Sequence, residues 1–283
     1  MAVMNPVMGP PMGPTTIGTV EYIGASIDPD VVLWAGAIRA SGGSIPDDDL
    51  LLASQFVAAE RASGAYALTD DYWPLWLPTA IAARTSLKQR RLMTLTGSPV
   101  FTANRDYTFN GSNQYGDTGF IPSTHAIAYT ADRQRIGVYE RTNVSGDSIS
   151  AGASPATNNR VTIQPRVTST AMVGNLNTSS ATPTFTIAAD SRGLSVVSRD
   201  ASATTVRGYK NGVRLTDATG QTAGSNIQGI ALWLGGNNAN GSVNKPRACS
   251  LGFAVIGAPL SDAQELAQYN NVQAWAAAKG ANV

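Results

Sequence analysis

Side chains able to bind a sugar are concentrated near the C-terminus. They combine aromatic rings, amides and a guanidinium, at Tyr209, Asn211, Arg214, Trp233, Asn237 and Asn238. Small-ligand sites use such a set, an apolar or aromatic surface with a few polar groups that fix orientation. A structural interpretation also exists, in which Trp233 packs inside the fold and the asparagines occupy a left-handed turn. Packing is the preferred interpretation of Trp233, and the six residues are the candidate carbohydrate site.

The sequence does not pair carboxylates in the way that sugar hydrolysis requires. A glycosidase uses two carboxyl groups, roughly 5 Å apart for retention or 6.5–9.5 Å apart for inversion. The chain has four glutamates, of which Glu140 alone falls in a predicted strand, and no acidic residue follows at Thr142. We therefore predict that the protein is not an enzyme. A polysaccharide depolymerase, acting through carboxylates that the pattern does not pair, is the alternative.

Nucleophilic and metal chemistry also lack the residues they need. A serine hydrolase requires a base beside its nucleophile, but His125 is the sole histidine and no G-x-S-x-G motif is present. Cys249 is the only cysteine, so it forms neither an intrachain disulfide nor a cysteine-based metal cluster, and we expect it to be buried. Asp190, Asp200 and Asp217 are too dispersed for a calcium loop. We expect no metal and no cofactor.

Composition limits the partners of the chain. Charged residues make up 14% of the 283 residues, below the usual proportion of about 25%, and the net charge is +1. A balanced charge gives no reason to expect a nucleic-acid partner. The absence of an apolar run of about 18 residues argues against a membrane span. The first residues do not resemble a secretory signal, so we expect synthesis in the cytoplasm.

Residues 1–27 are predicted to form an extended docking arm. Proline and glycine are frequent there and oppose regular structure. Flexible apolar side chains are spaced along the arm and suit insertion into a groove of another protein, at Met4, Val7, Met8 and Met12. The alternative is a disordered tail.

A helical region is predicted at residues 28–91. Asp28 suits an N-cap and Pro29 the first helical position. A second helix is expected to begin after Pro46, where three consecutive aspartates can compensate the helix dipole. A third helical stretch is predicted at residues 69–76, with Trp73 and Trp76 on one face because they lie three residues apart.

From residue 92 to residue 283 the pattern changes to short strands separated by turn residues, which predicts an antiparallel β-sandwich. The principal predicted strands are 100–102, 107–109, 126–129, 135–141, 160–164, 193–199, 206–210, 230–234 and 251–256. A C-terminal helix follows, with Ser261 and Gln264 placed as a capping box.

The closing segment resembles that of concanavalin A-like (laminin-G-like) jelly rolls. The similar phrases are YKNGV at 209–213, GGN at 235–237, LGFAVI at 251–256 and PLSDAQE at 259–265. The resemblance implies a mainly β fold, a concanavalin A-like jelly-roll sandwich with a C-terminal helix. The predicted arm and helical region precede this sandwich.

Further phrases resemble tailed-phage and prophage virion proteins that carry a concanavalin A-like lectin domain, a group whose related particles include gene transfer agents. They are FTANRDYTFNGS at 101–112, YGDTGFIPST at 115–124 and IGVYERTN at 136–143. Together with the closing segment they extend the resemblance over residues 70–283, and more loosely over residues 28–65.

This resemblance implies a structural virion protein, a head or tail fibre, spike or decoration component. The partners it implies are other virion proteins, with host cell-surface polysaccharide as a possible ligand. It also implies a homo-oligomer located in the particle. Because a fold does not determine a ligand, a purely architectural protein is a further alternative.

Overall fold

The computed structural model describes residues 27–156, 159–178, 182–201 and 204–283. The predicted arm contacts at Met4, Val7, Met8 and Met12 lie outside the described residues. Within the described residues, no helix is both long and apolar enough to cross a membrane.

The long helices begin where the sequence predicts. The six helices of the described chain are α1 (Pro29–Ala40), α2 (Asp47–Ser63), α3 (Ala65–Leu68), α4 (Ala80–Arg84), α5 (Pro122–His125) and α6 (Asp262–Ala278). The Asp28 carboxylate caps α1 by accepting the Asp30 N–H at 2.9 Å. Ser261 and Gln264 form the capping box of α6, so both predicted helix starts are confirmed.

Two largely antiparallel sheets form a sandwich, which confirms the predicted mainly β fold. In chain order, the strands of the described residues are β1 (Thr69–Pro74), β2 (Thr94–Thr96), β3 (Val100–Thr102), β4 (Asp106–Thr108), β5 (Tyr115–Asp117), β6 (Gln134–Glu140), β7 (Ala151–Ala156), β8 (Asn159–Gln164), β9 (Ala171–Leu176), β10 (Thr184–Thr186), β11 (Gly193–Arg199), β12 (Val206–Lys210), β13 (Val213–Arg214), β14 (Trp233–Leu234), β15 (Asn237–Ala239), β16 (Ser242–Asn244) and β17 (Ser250–Gly257).

The strands form two sheets, of which the eight-stranded one packs against α2 and α6. The eight-stranded sheet has the order β13-β12-β11-β6-β17-β4-β3, with β1 also on β17. The nine-stranded sheet has the order β10-β9-β8-β7-β14-β5-β2, with β15 on β7 and β16 on β15. Aromatic contacts join the eight-stranded sheet to α2 and α6: Phe253 of β17 lies 5.9 Å from the Phe56 ring, which lies 5.0 Å from Trp275. These helices therefore cover the outer face of the eight-stranded sheet.

The helix predicted at residues 69–76 is wrong, because most of this segment is the strand β1. It pairs antiparallel with β17, Tyr72 opposite Val255. All six residues of β1 are buried, so the sheet satisfies backbone groups that a helix would otherwise bond internally. Trp76 stacks on Phe253 at 5.3 Å whereas Trp73 meets Phe120 at 6.1 Å. The two indoles do not share the single face that a helix would give them.

The strand predicted at residues 126–129 is also wrong, for an electrostatic reason. The Asp70 carboxylate accepts the backbone N–H groups of Ile127, Ala128 and Tyr129 at 2.7, 2.8 and 2.9 Å. These donors are consequently not available to a neighbouring strand. The buried Asp70 carboxylate, near the start of β1, thus stabilises an irregular loop more than fifty residues later in the sequence.

Cys249 and two ion pairs lie in the interior. Cys249 is buried, as expected. Arg135 of β6 forms a bidentate pair with Glu265 of α6, at 2.7 and 2.8 Å. At the other end of the same strand, Glu140 bonds Arg247 at 2.6 Å. One strand therefore carries both the link to the C-terminal helix and a second buried pair between the sheets.

Asp71 should make stability depend on pH. Burial, the largest cause, raises its pKa to about 6, against the lowering by Ser86 and three backbone N–H groups. Because the folded state keeps a proton that the unfolded chain releases, this stabilisation is full below pH ~4 and lost as pH rises through ~6. We therefore expect the protein to lose about 2–3 kcal/mol of unfolding free energy relative to the Asp71→Asn variant as the pH rises from ~4 to ~6. Denaturant unfolding at each pH measures it, and parallel pH profiles would contradict the assignment.

Candidate functional site

The six residues of the candidate carbohydrate site do not form one site. Tyr209, Asn211 and Arg214 belong to the β12–β13 hairpin of the eight-stranded sheet, whereas Trp233, Asn237 and Asn238 belong to the nine-stranded sheet. The two groups of residues therefore lie on different sheets of the sandwich.

The three hairpin residues hold structure together. The Tyr209 hydroxyl is buried and donates to Asp262 at 2.8 Å, and burial raises its pKa. Asn211 has a φ of 50°, and its side-chain oxygen accepts the Leu194 N–H at 2.9 Å. Arg214 pairs with Asp217 at 2.6 Å and with Asp262 at 3.1 Å. The hairpin is thereby tied to β11 and to the first turn of α6.

Opposite faces of the nine-stranded sheet differ in polarity because successive side chains alternate. One cross-strand row consists of Leu234, Ala151 and Ile163, which all lie in the hydrophobic core. The adjacent row consists of Trp233, Gly152, Thr162 and Asn175. This second row must face away from the core.

A groove of about 570 Å³ lies on that outward face. Its volume falls within the roughly 300–1,000 Å³ of small-ligand pockets. The polar side chains that line it come from several strands and the segments beside them, and are Asp147, Ser154, Arg160, Thr162, Gln164, Asn175, Thr182, Asn237, Asn244 and Lys245. Of the six predicted residues, Asn237 is therefore the one that lines the groove.

Hydrogen bonds orient the floor of the groove. Ser154 donates its hydroxyl to the Asn237 side-chain oxygen at 3.0 Å, and the Asn175 amide donates to Thr162 Oγ1 at 3.4 Å. A Cβ at Gly152 would lie 2.7 Å from the Asn237 oxygen and 2.9 Å from Thr162 Cγ2, so glycine lets these groups approach one another. The floor presents amides and hydroxyls that are already positioned before a ligand binds.

The two charged ends of the groove differ. At one end Lys245 pairs with Asp147 at 2.6 Å, and Gln164 donates to the same carboxylate at 3.2 Å. The Lys245 ammonium lowers the pKa of Asp147. At the other end stands Arg160, whose Nε is buried and has no hydrogen-bond partner among the described residues. Burial lowers the pKa of Arg160.

Sequence reasoning missed most of the groove. The strand at residues 160–164 was predicted, and its alternation already places Arg160, Thr162 and Gln164 on one face. Such a wholly polar face on a central strand is the signal that could have identified the site. No local pattern, however, joins it to Asn175 or Asn237.

The other candidate catalytic groups lie elsewhere. Glu140 and Glu265 are in buried ion pairs, and Glu60 is buried, accepting from Tyr72 at 2.9 Å, with its pKa raised by burial. His125 accepts the Ile121 N–H through Nδ1 at 2.8 Å, and burial followed by Arg91 lowers its pKa. Among the described residues that line the groove, Asp147 is the carboxylate.

Trp233 lies beside the groove but is not exposed. Its side chain is 4% exposed and its ring stacks on Tyr115 at 3.8 Å with an angle of 11° between the planes. Asn238 is 4% exposed, donates to the Ala231 carbonyl at 2.8 Å and accepts from the Gly241 N–H at 2.8 Å. Trp233 is therefore buried by packing, although on the outward face of its sheet and not in the core between the sheets. The left-handed turn predicted at Asn237 and Asn238 is wrong, because both lie in β15 and the left-handed residues are Gly235, Asn240 and Gly241.

Comparison with known proteins identifies no family. No protein-family model matches the chain, and no curated protein matches it. A solved structure of the NanB sialidase from Streptococcus pneumoniae is similar, with 18% identity and a TM-score of 0.42 over 60% of this chain and 28% of that chain. The protein thus corresponds to well under two thirds of the sialidase.

Two smaller structures are also similar. Domain 4 of AbnA, a GH43 extracellular arabinanase from Geobacillus stearothermophilus, in complex with arabinotriose, has 11% identity and a TM-score of 0.44, over 71% of this chain and 98% of that chain. The CBM40 of a Ruminococcus gnavus IT-sialidase bound to alpha2,3 sialyllactose has 16% identity and a TM-score of 0.39, over 49% and 82%. Identities and TM-scores at this level assign the chain neither a family nor a ligand.

Truncating Trp233 should weaken the fold. We expect Trp233→Ala to lower the unfolding free energy by about 3 kcal/mol, because it removes a buried ring and its stack on Tyr115. Trp233→Phe keeps a ring in the stack and should cost clearly less. Denaturant unfolding of both variants measures the difference, and an unchanged stability of Trp233→Ala would show that packing does not hold this indole.

Proposed function

We propose that the protein binds glycan in the groove of its nine-stranded sheet and does not cleave it. The observation that carries this proposal is the oriented polar floor at the base of the groove, where Ser154 holds Asn237 and Asn175 holds Thr162. A sugar presents many hydroxyl donors and acceptors, which match amide and hydroxyl groups that can do both. Orientation before binding reduces the entropy lost on association.

The location of the groove supports binding as well. Helices α2 and α6 lie on the opposite sheet, so an extended chain could cross the outward face of the nine-stranded sheet without meeting them. The cross-strand row of Thr162, Asn175 and Asn237 spans several strands and offers successive contacts to a polymer.

The carboxylates support binding without hydrolysis. Hydrolysis by two carboxyl groups needs one to act as acid and the other as nucleophile or base. Asp147 is paired with Lys245, and the pKa lowered by that pair disfavours the protonated form that a general acid requires. A depolymerase that used this groove would therefore need a mechanism other than catalysis by two carboxyl groups.

We further propose that this binding serves a virus particle. The support is the resemblance of residues 70–283 to phage and prophage virion proteins, joined to the methionine- and proline-rich residues 1–27. In this proposal residues 1–27 attach the protein to other virion proteins, the sandwich faces outward as part of a homo-oligomer, and the groove meets host cell-surface polysaccharide.

Blocking the groove should abolish glycan binding. Val173 lines the groove, so Val173→Trp should fill it and lower affinity at least tenfold. Val213→Trp makes the same change at a 62% exposed position of the other sheet and should bind like the unmodified protein. A glycan array followed by calorimetry on the best ligand, with unfolding curves for both variants, measures this. Equal binding by Val173→Trp, or an array without any ligand, would reject the groove, the latter favouring an architectural protein.

Deleting residues 1–20 should separate attachment from folding. We expect the shortened protein to keep its unfolding midpoint and glycan binding but to be lost from purified particles. Quantitative immunoblotting of particles made with either form measures incorporation. Normal incorporation of the shortened protein would contradict the docking role of these residues.

A further inference from the structure

Arg160 is a cation in the groove without a partner. It lies at the start of β8, and no hydrogen bond or ion pair of its side chain occurs within the described parts of the chain. Its Nε is buried as well. An arginine side chain without an acceptor has free N–H donors, which a ligand oxygen can accept.

Other buried arginines of the described chain differ from Arg160. Arg135 and Arg247 are fully buried, and each has a glutamate partner. Arg141 pairs with Asp106 at 2.5 Å. In these three cases the guanidinium is matched by a carboxylate of the chain, whereas the fully buried Arg199 donates to the backbone carbonyls of Leu176 and Gln221.

The charge of the groove is correspondingly unbalanced. Lys245 and Asp147 neutralise one another, and the remaining lining residues apart from Arg160 are uncharged. No acidic group contributes to the pKa of Arg160, which burial alone lowers. One positive charge therefore remains on the groove wall.

We infer that the groove selects acidic glycans, with the Arg160 guanidinium binding a carboxylate or sulfate group of the ligand. The guanidinium fork matches either anion with two parallel hydrogen bonds. Thr162 and Gln164 follow Arg160 at every second position, so they lie along the same face at intervals of about 7 Å. An anionic sugar at Arg160 would place its neighbouring residues over those side chains. This inference rests on the proposed glycan binding.

The test compares charged and neutral forms of one glycan on the full chain. The array should return ligands that carry carboxylate or sulfate, and chemical reduction of the carboxylate, or removal of the sulfate, should weaken binding at least tenfold in calorimetry. Carboxylated and sulfated ligands form separate arms, which decide between the two anions.

Substitution at Arg160 provides the second readout. Arg160→Gln should weaken binding of the acidic ligand at least tenfold and leave the unfolding midpoint unchanged or higher, because it removes a donor without a partner. Arg160→Lys keeps the charge and should restore part of the affinity. Arg39→Gln removes the same charge from an exposed position on α1 and should have no effect on binding.

The outcomes separate this inference from the proposed function. If the ligands are neutral glycans whose binding is lost in Val173→Trp, the groove binds glycan but the acidic specificity is wrong. If Arg160→Gln binds an acidic ligand like the unmodified protein, the role of Arg160 is wrong. If no glycan binds, both proposals fail together.

Discussion

Two buried ion pairs on the strand β6 are the constraint on which the fold depends. Arg135 points to the helical side, where it bonds Glu265 and Gln268 of α6, and Gln268 in turn donates to Glu60 of α2 at 2.6 Å. Glu140 points between the sheets and joins Arg247. Removing one member of such a pair leaves an isolated buried charge and costs about 3–5 kcal/mol. The strand therefore fixes the helices and the second sheet relative to itself.

This arrangement determines where a ligand can bind. Helices α2 and α6 cover the outer face of one sheet, and the outer face of the other contains the groove, which is lined by polar side chains from β7, β8, β9 and β15. In the interior, Arg135 and Arg247 are paired with glutamates, whereas in the groove the Arg160 side chain has no partner among the described residues. This contrast supports the proposed binding of an acidic ligand at Arg160.

Sequence patterns predicted the structure correctly where the deciding contact lies within a few residues. They failed where the deciding partner is distant in the sequence. The capping residues Asp28 and Ser261 act within one helical turn, so the sequence contains the whole interaction. The segments 69–76 and 126–129 have patterns typical of a helix and a strand, yet β17 recruits the first and the Asp70 carboxylate binds the backbone of the second. In both cases the deciding partner is remote in sequence.

The candidate site divides in the same way. The sequence by itself determined the fold class, the starts of α1 and α6 and the polar alternation of residues 160–164, because each follows from local geometry and composition. Only the tertiary structure decided that Trp233 is covered by Tyr115 and that Tyr209 and Arg214 serve Asp262. It alone also brought Gly152, Thr162, Asn175 and Asn237 onto one floor. The reason is that strand pairing sets side-chain proximity, and residues that meet across strands share no fixed spacing in the chain.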